Sequence, residues 1–202
     1  CTGTKGLADY PRALSNFEAA LEIARAADLQ WHLGPTLLGI DHVHACTGDY
    51  GAAWTGMMKT LRWLESLKQV RYQFIAHDFI GHLLLDLDLD EPALQYMERS
   101  LALSRATGID FWRGAIEAHR AMARARLGHD DVAPALQHAL DQARRSSERY
   151  LMTRCLEGLA MVALRGRDTG RCLAFADELL ALAQPAGLRE LEAAARRWRG
   201  EA

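Results

Sequence analysis

The chain has little of what builds β-sheets, disulfide frameworks or membrane spans. It contains 5 prolines and 4 cysteines in 202 residues, and valine and isoleucine are scarce, which argues against a large sheet. No apolar run approaches the ~18 residues that a membrane-spanning helix needs. The formal net charge is only −2, so charge favours neither nucleic acid nor a membrane surface as a partner. The cysteines (Cys1, Cys46, Cys155 and Cys172) show no paired spacing, and we interpret them as reduced thiols of a cytoplasmic protein.

The residues that are abundant are helix formers, and they recur with a long period. Ala, Leu, Arg and Glu dominate the composition, and all four favour α-helix. Five segments share one pattern, which consists of a small residue, three others, a bulky residue, two others, a small residue and leucine. The five are Ala13-Phe17-Ala20-Leu21, Ala53-Met57-Thr60-Leu61, Ala93-Met97-Ser100-Leu101, Val132-Leu136-Ala139-Leu140 and Cys172-Ala176-Leu179-Leu180, the last with its small and large positions exchanged. The closing leucines are 40, 40, 39 and 40 residues apart, which indicates a structural repeat.

Turn signals divide each repeat into two helices. A turn rich in Gly, Asp or Pro precedes every pattern, at 8–11, 48–51, 88–92, 128–131 and 166–168. We expect Gly to end one helix in the left-handed conformation and Asp to cap the next, and Pro11 and Pro92 suit a first helical turn. The patterns thus form the second helix of each hairpin. We predict first helices at 31–47, 70–86, 111–127 and 149–165 and a final helix at 188–199, joined to the second helices by short turns at 27–29, 66–68, 107–110, 146–148 and 185–187. Pro35 should delay or kink the 31–47 helix.

The pattern that follows the Gly48-Asp49-Tyr50 type of turn resembles the second helix of a tetratricopeptide repeat (TPR). In Ala13, Phe17 and Ala20 the match is complete, and Ile80-Gly81 stands where the first-helix signature has Leu-Gly. A period near 40 exceeds the usual ~34. Longer repeats of this kind resemble the MalT-like TPR regions of bacterial signal-transduction ATPases and LuxR-type transcription regulators, and the segment 155–168 is especially similar to their C-terminal repeats.

These observations predict an all-α fold, a TPR-like α-α superhelix (solenoid) of about five helical hairpins in a single domain, 1–202. Each hairpin is expected to bury its apolar face against its neighbours. Both ends of the chain fall inside a repeat, so we expect a fragment of a larger multidomain protein. No phosphate-binding loop, dinucleotide fingerprint or nucleophile elbow occurs, so we expect no cofactor and no catalysis.

Histidines are the main candidates for metal chemistry. Asp41, His42 and His44 lie on one predicted helix, and His77, Asp78 and His82 lie on the next first helix. A zinc site would need these groups to converge, but His77 and His82 are five residues apart and diverge around the helix. Hydrogen-bonded groove or surface histidines are therefore favoured. The acidic stretch 86–91 has the first spacings of a calcium loop but lacks its Gly and its closing Glu. We interpret it as an inter-helix turn.

The resemblance implies that the first helices line an inner, concave face. It nominates seven groove residues, which are His42, Asp78, His82, Glu117, Arg124, Arg154 and Glu157. We expect a non-catalytic module of a bacterial regulator that binds a protein, a peptide or other domains of the same chain. A small-molecule effector is the first alternative and a metal-dependent enzyme the second. A purely structural or homo-oligomerising segment is the third. We expect no direct nucleic-acid contact and no membrane contact.

Overall fold

The computed structural model describes residues 9–109 and 112–202, and within these ranges the chain is all-α. It forms ten α-helices and one short 3₁₀ turn, Asp130–Val132, and has no strand there. The helices are α1 Tyr10–Ala26, α2 Gln30–Cys46, α3 Tyr50–Ser66, α4 Val70–Asp86, α5 Asp90–Thr107, α6 Arg113–Arg126, α7 Ala133–Ser146, α8 Arg149–Arg165, α9 Thr169–Ala186 and α10 Arg189–Glu201. The predicted class of repeated helical hairpins is confirmed. Predictions that involve Cys1, Ala8, Asp110 or a helix start at residue 111 lie outside the described residues.

The helices group into two compact units, residues 9–116 and residues 117–202. In the first unit, α1 to α5 pack in chain order, each against the next, and the first helices α2 and α4 also contact each other. In the second unit, α7 to α10 repeat this arrangement, with contact between α8 and α10. No helix in the described ranges is both long enough and apolar enough to cross a bilayer.

Capping follows the predicted chemistry at three of the five turns. The carboxylates of Asp9, Asp49 and Asp168 accept the N–H of the residue three positions on, at 3.2, 3.1 and 3.0 Å. The other two turns differ from the prediction. Leu89 is the N-cap of α5 without a side-chain hydrogen bond, and the 3₁₀ turn Asp130–Val132 precedes α7. Gly48 and Gly128 have positive φ as expected, whereas in the 166–168 turn Arg167 takes that conformation, with φ 58°.

Two prolines, Pro35 and Pro185, lie inside helices. Helix α2 begins at Gln30 and continues through Pro35, so the predicted late start is wrong. Because proline has no backbone N–H, Pro35 leaves the Trp31 carbonyl without its helical donor. Pro185 lies inside the last turn of α9, and the αL residue that ends this helix is Gly187, with φ 71°. The turn predicted at 185–187 is therefore shorter than expected.

The bulky residue of the repeat pattern packs against a glycine of a first helix. A Cβ on Gly39 would lie 2.6 Å from Phe17, a Cβ on Gly81 would lie 2.9 Å from Met97, and a Cβ on Gly158 would lie 2.9 Å from Leu136. Atoms that close would overlap, so a larger residue at these positions would require the facing side chain to shift. Three glycine seats, Gly39, Gly81 and Gly158, thus allow the helices that they join to approach closely.

A fourth glycine, Gly56 of α3, receives a carboxyl group instead of an apolar side chain. Asp41 of α2 is 8% exposed and occupies the space that a Cβ on Gly56 would take. Its Oδ2 is buried and has no hydrogen-bond donor among the described residues. Burial raises the pKa of Asp41 to about 7, because the ionised form loses its hydration there.

The glycine seat predicts a stability difference between two Gly→Ala variants. Gly81→Ala should lower the free energy of unfolding by about 1–2 kcal/mol, because the added methyl group meets Met97 and the Ala93 carbonyl. Gly200→Ala is the matched control, since nothing lies within 4 Å of its Cβ. Urea unfolding followed by circular dichroism measures both. Equal stability of the two variants would show that the seat is not tight.

The buried carboxyl group of Asp41 should make the free energy of unfolding fall as the pH rises. The folded-state pKa of about 7 lies above the usual value of 3.8, so between these values the unfolded chain gives up a proton that the folded chain keeps. By linkage, the contribution of this group declines through that window and is constant above it. Asp41→Asn should therefore stabilise the protein more at pH 8 than at pH 4. The exposed Glu65→Gln serves as control, and an equal effect of both variants across this range would contradict the assignment.

Candidate functional site

Three aromatic rings, from α2, from α4 and from the residue just before α6, form a row in the first unit. The His42 ring of α2 stacks on Phe79 of α4, with centroids 5.1 Å apart and an interplanar angle of 28°. Phe79 meets the edge of Trp112, immediately before α6, at 6.1 Å and 65°. Both geometries are favourable for aromatic pairs. Phe79 and Trp112 are each partly exposed, so this aromatic row (His42, Phe79 and Trp112) has faces open to solvent.

A buried carboxylate holds one end of the aromatic row. Asp78 is completely buried, and its Oδ2 accepts a hydrogen bond from Trp112 Nε1 at 2.8 Å. Burying a carboxylate is costly unless donors compensate it, so this bond restrains the indole orientation. The two residues are 34 apart in the chain, one within α4 and the other just before α6. The row is thus a preorganised surface.

His82 contacts His42 at the other end of the row. Its ring lies 5.8 Å from that of His42, edge to face, and its Nδ1 is 3.9 Å from Asp86 one turn later. His42 Nε2 in turn lies 3.7 Å from Cys46 Sγ. The structure therefore brings the predicted residues His42, Asp78 and His82 into one neighbourhood, but His82 is only 3% exposed and Asp78 is inaccessible.

The remaining members of the histidine-rich segments point elsewhere. His77 faces α5, where its ring lies 5.6 Å from Tyr96, and burial, with help from the charge of Arg99, lowers the pKa of His77 to about 4. Asp41 packs on Gly56 of α3. Among the described residues, no three His, Cys, Asp or Glu side chains are placed to hold a metal ion.

The four predicted groove residues of the second unit are placed differently. Arg154 and Glu157 pair within α8 at 3.3 Å, both largely buried, and the Tyr150 hydroxyl accepts from Arg154 Nε at 3.2 Å. Glu117 is exposed on α6. Arg124 forms an ion pair with Asp131 of the 3₁₀ turn, with Nη2 and Oδ2 3.1 Å apart. Arg124 therefore stabilises this turn.

The predicted groove residues do not include the two rings that face solvent, Phe79 and Trp112. Phe79 is adjacent to the nominated Asp78, and a shift of one residue along α4 selects the ring instead of the buried carboxylate. Trp112 lies within the helix predicted at 111–127 but is not among the nominated groove residues. Its spacing of 33 residues from Phe79 does not match the 40-residue repeat, so the repeat gave no signal for this pair.

Comparison with known proteins finds structures of similar fold but does not assign the chain to a family. No family model matches the chain, and no curated protein matches it. Among solved structures, the chain is similar to BtubC (BKLC) from P. vanneervenii, with a TM-score of 0.60 and 17% sequence identity over 96% of this chain and 84% of that one. At this identity the likeness shows a shared helical fold.

Proposed function

We propose that this protein is a non-catalytic binding module that recognises a protein or peptide segment through the aromatic row of its first unit. The observation that supports this most directly is the contact of Phe79 with His42 of α2 on one side and with Trp112, just before α6, on the other. Phe79 and Trp112 are partly exposed, whereas His42 is only 9% exposed, so an extended partner would meet Phe79 and Trp112 in turn while His42 holds the Phe79 ring.

The energetics of recognition favour such a row. Binding energy in protein interfaces concentrates in a few residues, and tryptophan is among the commonest of them. Trp112 and Phe79 lose little conformational freedom on binding, because Asp78 and neighbouring rings already hold them. Preorganisation of this kind lowers the entropic cost of association. The exposed faces of Phe79 and Trp112 are apolar, and the buried Asp78 holds Trp112 in place. Such a surface suits a peptide that carries apolar side chains.

The wider role that we propose is that of a sensor or interaction module in a bacterial transcriptional or signalling regulator. It is supported by the repeat pattern, whose Ala13-Phe17-Ala20 and Ile80-Gly81 elements resemble the MalT-like TPR regions of such proteins. Partner binding would then change how the repeats contact other domains of the same chain.

Peptide binding should depend on the row and not on other exposed aromatic residues. Peptides selected by the 202-residue chain from a random display library should bind Phe79→Ala and Trp112→Ala about tenfold or more weakly than the wild type, since truncating an aromatic hot spot costs about 2 kcal/mol. Fluorescence anisotropy of the labelled peptides gives the dissociation constants, and circular dichroism confirms that each variant is folded.

Trp54→Ala provides the matched control for this experiment. Trp54 lies on the second helix α3 and is 38% exposed, and its loss should leave the dissociation constants unchanged. Peptides that bind all four proteins equally, or a failure to select any peptide, would contradict the proposed function.

A further inference from the structure

A second feature of the first unit is a cavity at the amino-terminal ends of α2 and α4. It has a volume of about 560 Å³ and is lined by Trp31, Lys68, Gln69, Val70, Arg71 and Tyr72. Sites for small molecules usually measure about 300–1,000 Å³. This Trp31 cavity shares no residue with the aromatic row.

Its aromatic lining is unusually accessible. Trp31 is 55% exposed, although it lies at the start of a helix whose later residues are mostly buried. The ring centroids of Trp31 and its neighbour His32 lie 3.7 Å apart. Tyr72, which also lines the cavity, is partly exposed. An indole and a phenol around one open volume favour a flat, apolar ligand, since aromatic rings attract each other in offset or edge-on geometry.

Two cations line the same volume without a countercharge. Neither Lys68 nor Arg71 forms an ion pair with a carboxylate of the described residues; Arg71 lies 6.0 Å from the Tyr72 ring centroid. Asp28, in the turn before α2, accepts a hydrogen bond from Gln30 at 2.7 Å. Guanidinium and ammonium groups recognise carboxylates strongly, so the cavity favours an anionic ligand.

The wall of the cavity also carries an unsatisfied acceptor. Gln69 Oε1 is buried and has no donor among the described residues, and the Gln69 side chain does not cap α4. A buried acceptor without a donor costs free energy. If the Gln69 amide turned toward the cavity, a ligand N–H or O–H would remove that cost, so a donor on the ligand ring is favoured as well.

We propose that the Trp31 cavity binds a small aromatic carboxylate whose ring bears an N–H or hydroxyl donor. Trp31 and Tyr72 contact the ring, Arg71 and Lys68 bind the carboxylate, and Gln69 Oε1 accepts the ring donor. The proposal is separate from the proposed peptide site, because no residue is shared and each is tested by its own variants.

Indole-3-carboxylate is a suitable probe, and ¹H–¹⁵N NMR of the full chain is the readout. Titration should shift the Trp31 indole signal, which is assigned by its absence in Trp31→Ala. Indole-3-carboxamide, which lacks the charge, and 1-methylindole-3-carboxylate, which lacks the donor, should each bind about tenfold more weakly, a difference of about 1.4 kcal/mol. Trp31→Ala and Arg71→Glu should weaken binding of the parent acid to a similar degree, as followed on backbone signals of residues 68–72.

Matched variants on α3 complete the test. Trp54→Ala and Arg62→Glu remove an exposed indole and an exposed cation elsewhere in the unit and should leave binding unchanged. The proposal is overturned if the three probes bind equally, if the α3 variants weaken binding as much as the cavity variants, or if Trp31 does not shift at the solubility limit of the probe. Tighter binding by a Trp-Glu peptide than by the free acid would also overturn it, in favour of a protein ligand.

Discussion

The contact on which this architecture depends is a bulky side chain seated on a glycine. Phe17, Met97 and Leu136 hold corresponding positions in the repeat, and each lies where a Cβ on a first helix would stand. Because a close-packed interior transmits changes in volume, these seats allow the helices that they join to approach closely. Phe17 and Leu136 pack on a glycine of the following first helix and Met97 on a glycine of the preceding one, so the bulky position of the repeat can meet a glycine of either neighbouring helix.

Other helix pairs of the first unit also approach closely. Helices α2 and α4 come near enough for His42 to stack on Phe79 at 5.1 Å, and the chain just before α6 comes near enough for Trp112 to reach Asp78. Between α2 and α3, Asp41 is removed from water against Gly56, and burial raises its pKa. Close packing in this unit thus gives both a ring row suited to recognition and a buried carboxyl group that costs stability.

The two proposed ligand sites use different parts of the same unit. The aromatic row lies where the first helices are tightly packed, so its rings are held and only their faces are open. The Trp31 cavity lies at the helix starts, where α2 and α4 leave an indole and two cations exposed. An extended chain fits the first arrangement, because the two partly exposed rings, Phe79 and Trp112, come from successive repeats. A compact anion fits the second, because its contacts converge on a single volume.

The sequence by itself determined the helices, their order and their pairing. The signals are local or periodic: the 40-residue recurrence of leucine, the Asp caps at Asp9, Asp49 and Asp168, and the small-bulky-small pattern. They predicted α4 and α8 to the residue.

Only the tertiary structure decided which side chains face solvent. Asp78 and Phe79 are adjacent in sequence, yet one is buried and the other open, because a turn of about 100° per residue separates them and only the packing of neighbouring helices selects the covered direction. The partnership of Trp112 with Asp78 likewise joins residues 34 apart, and no local pattern encodes a contact made by the spacing of two helices.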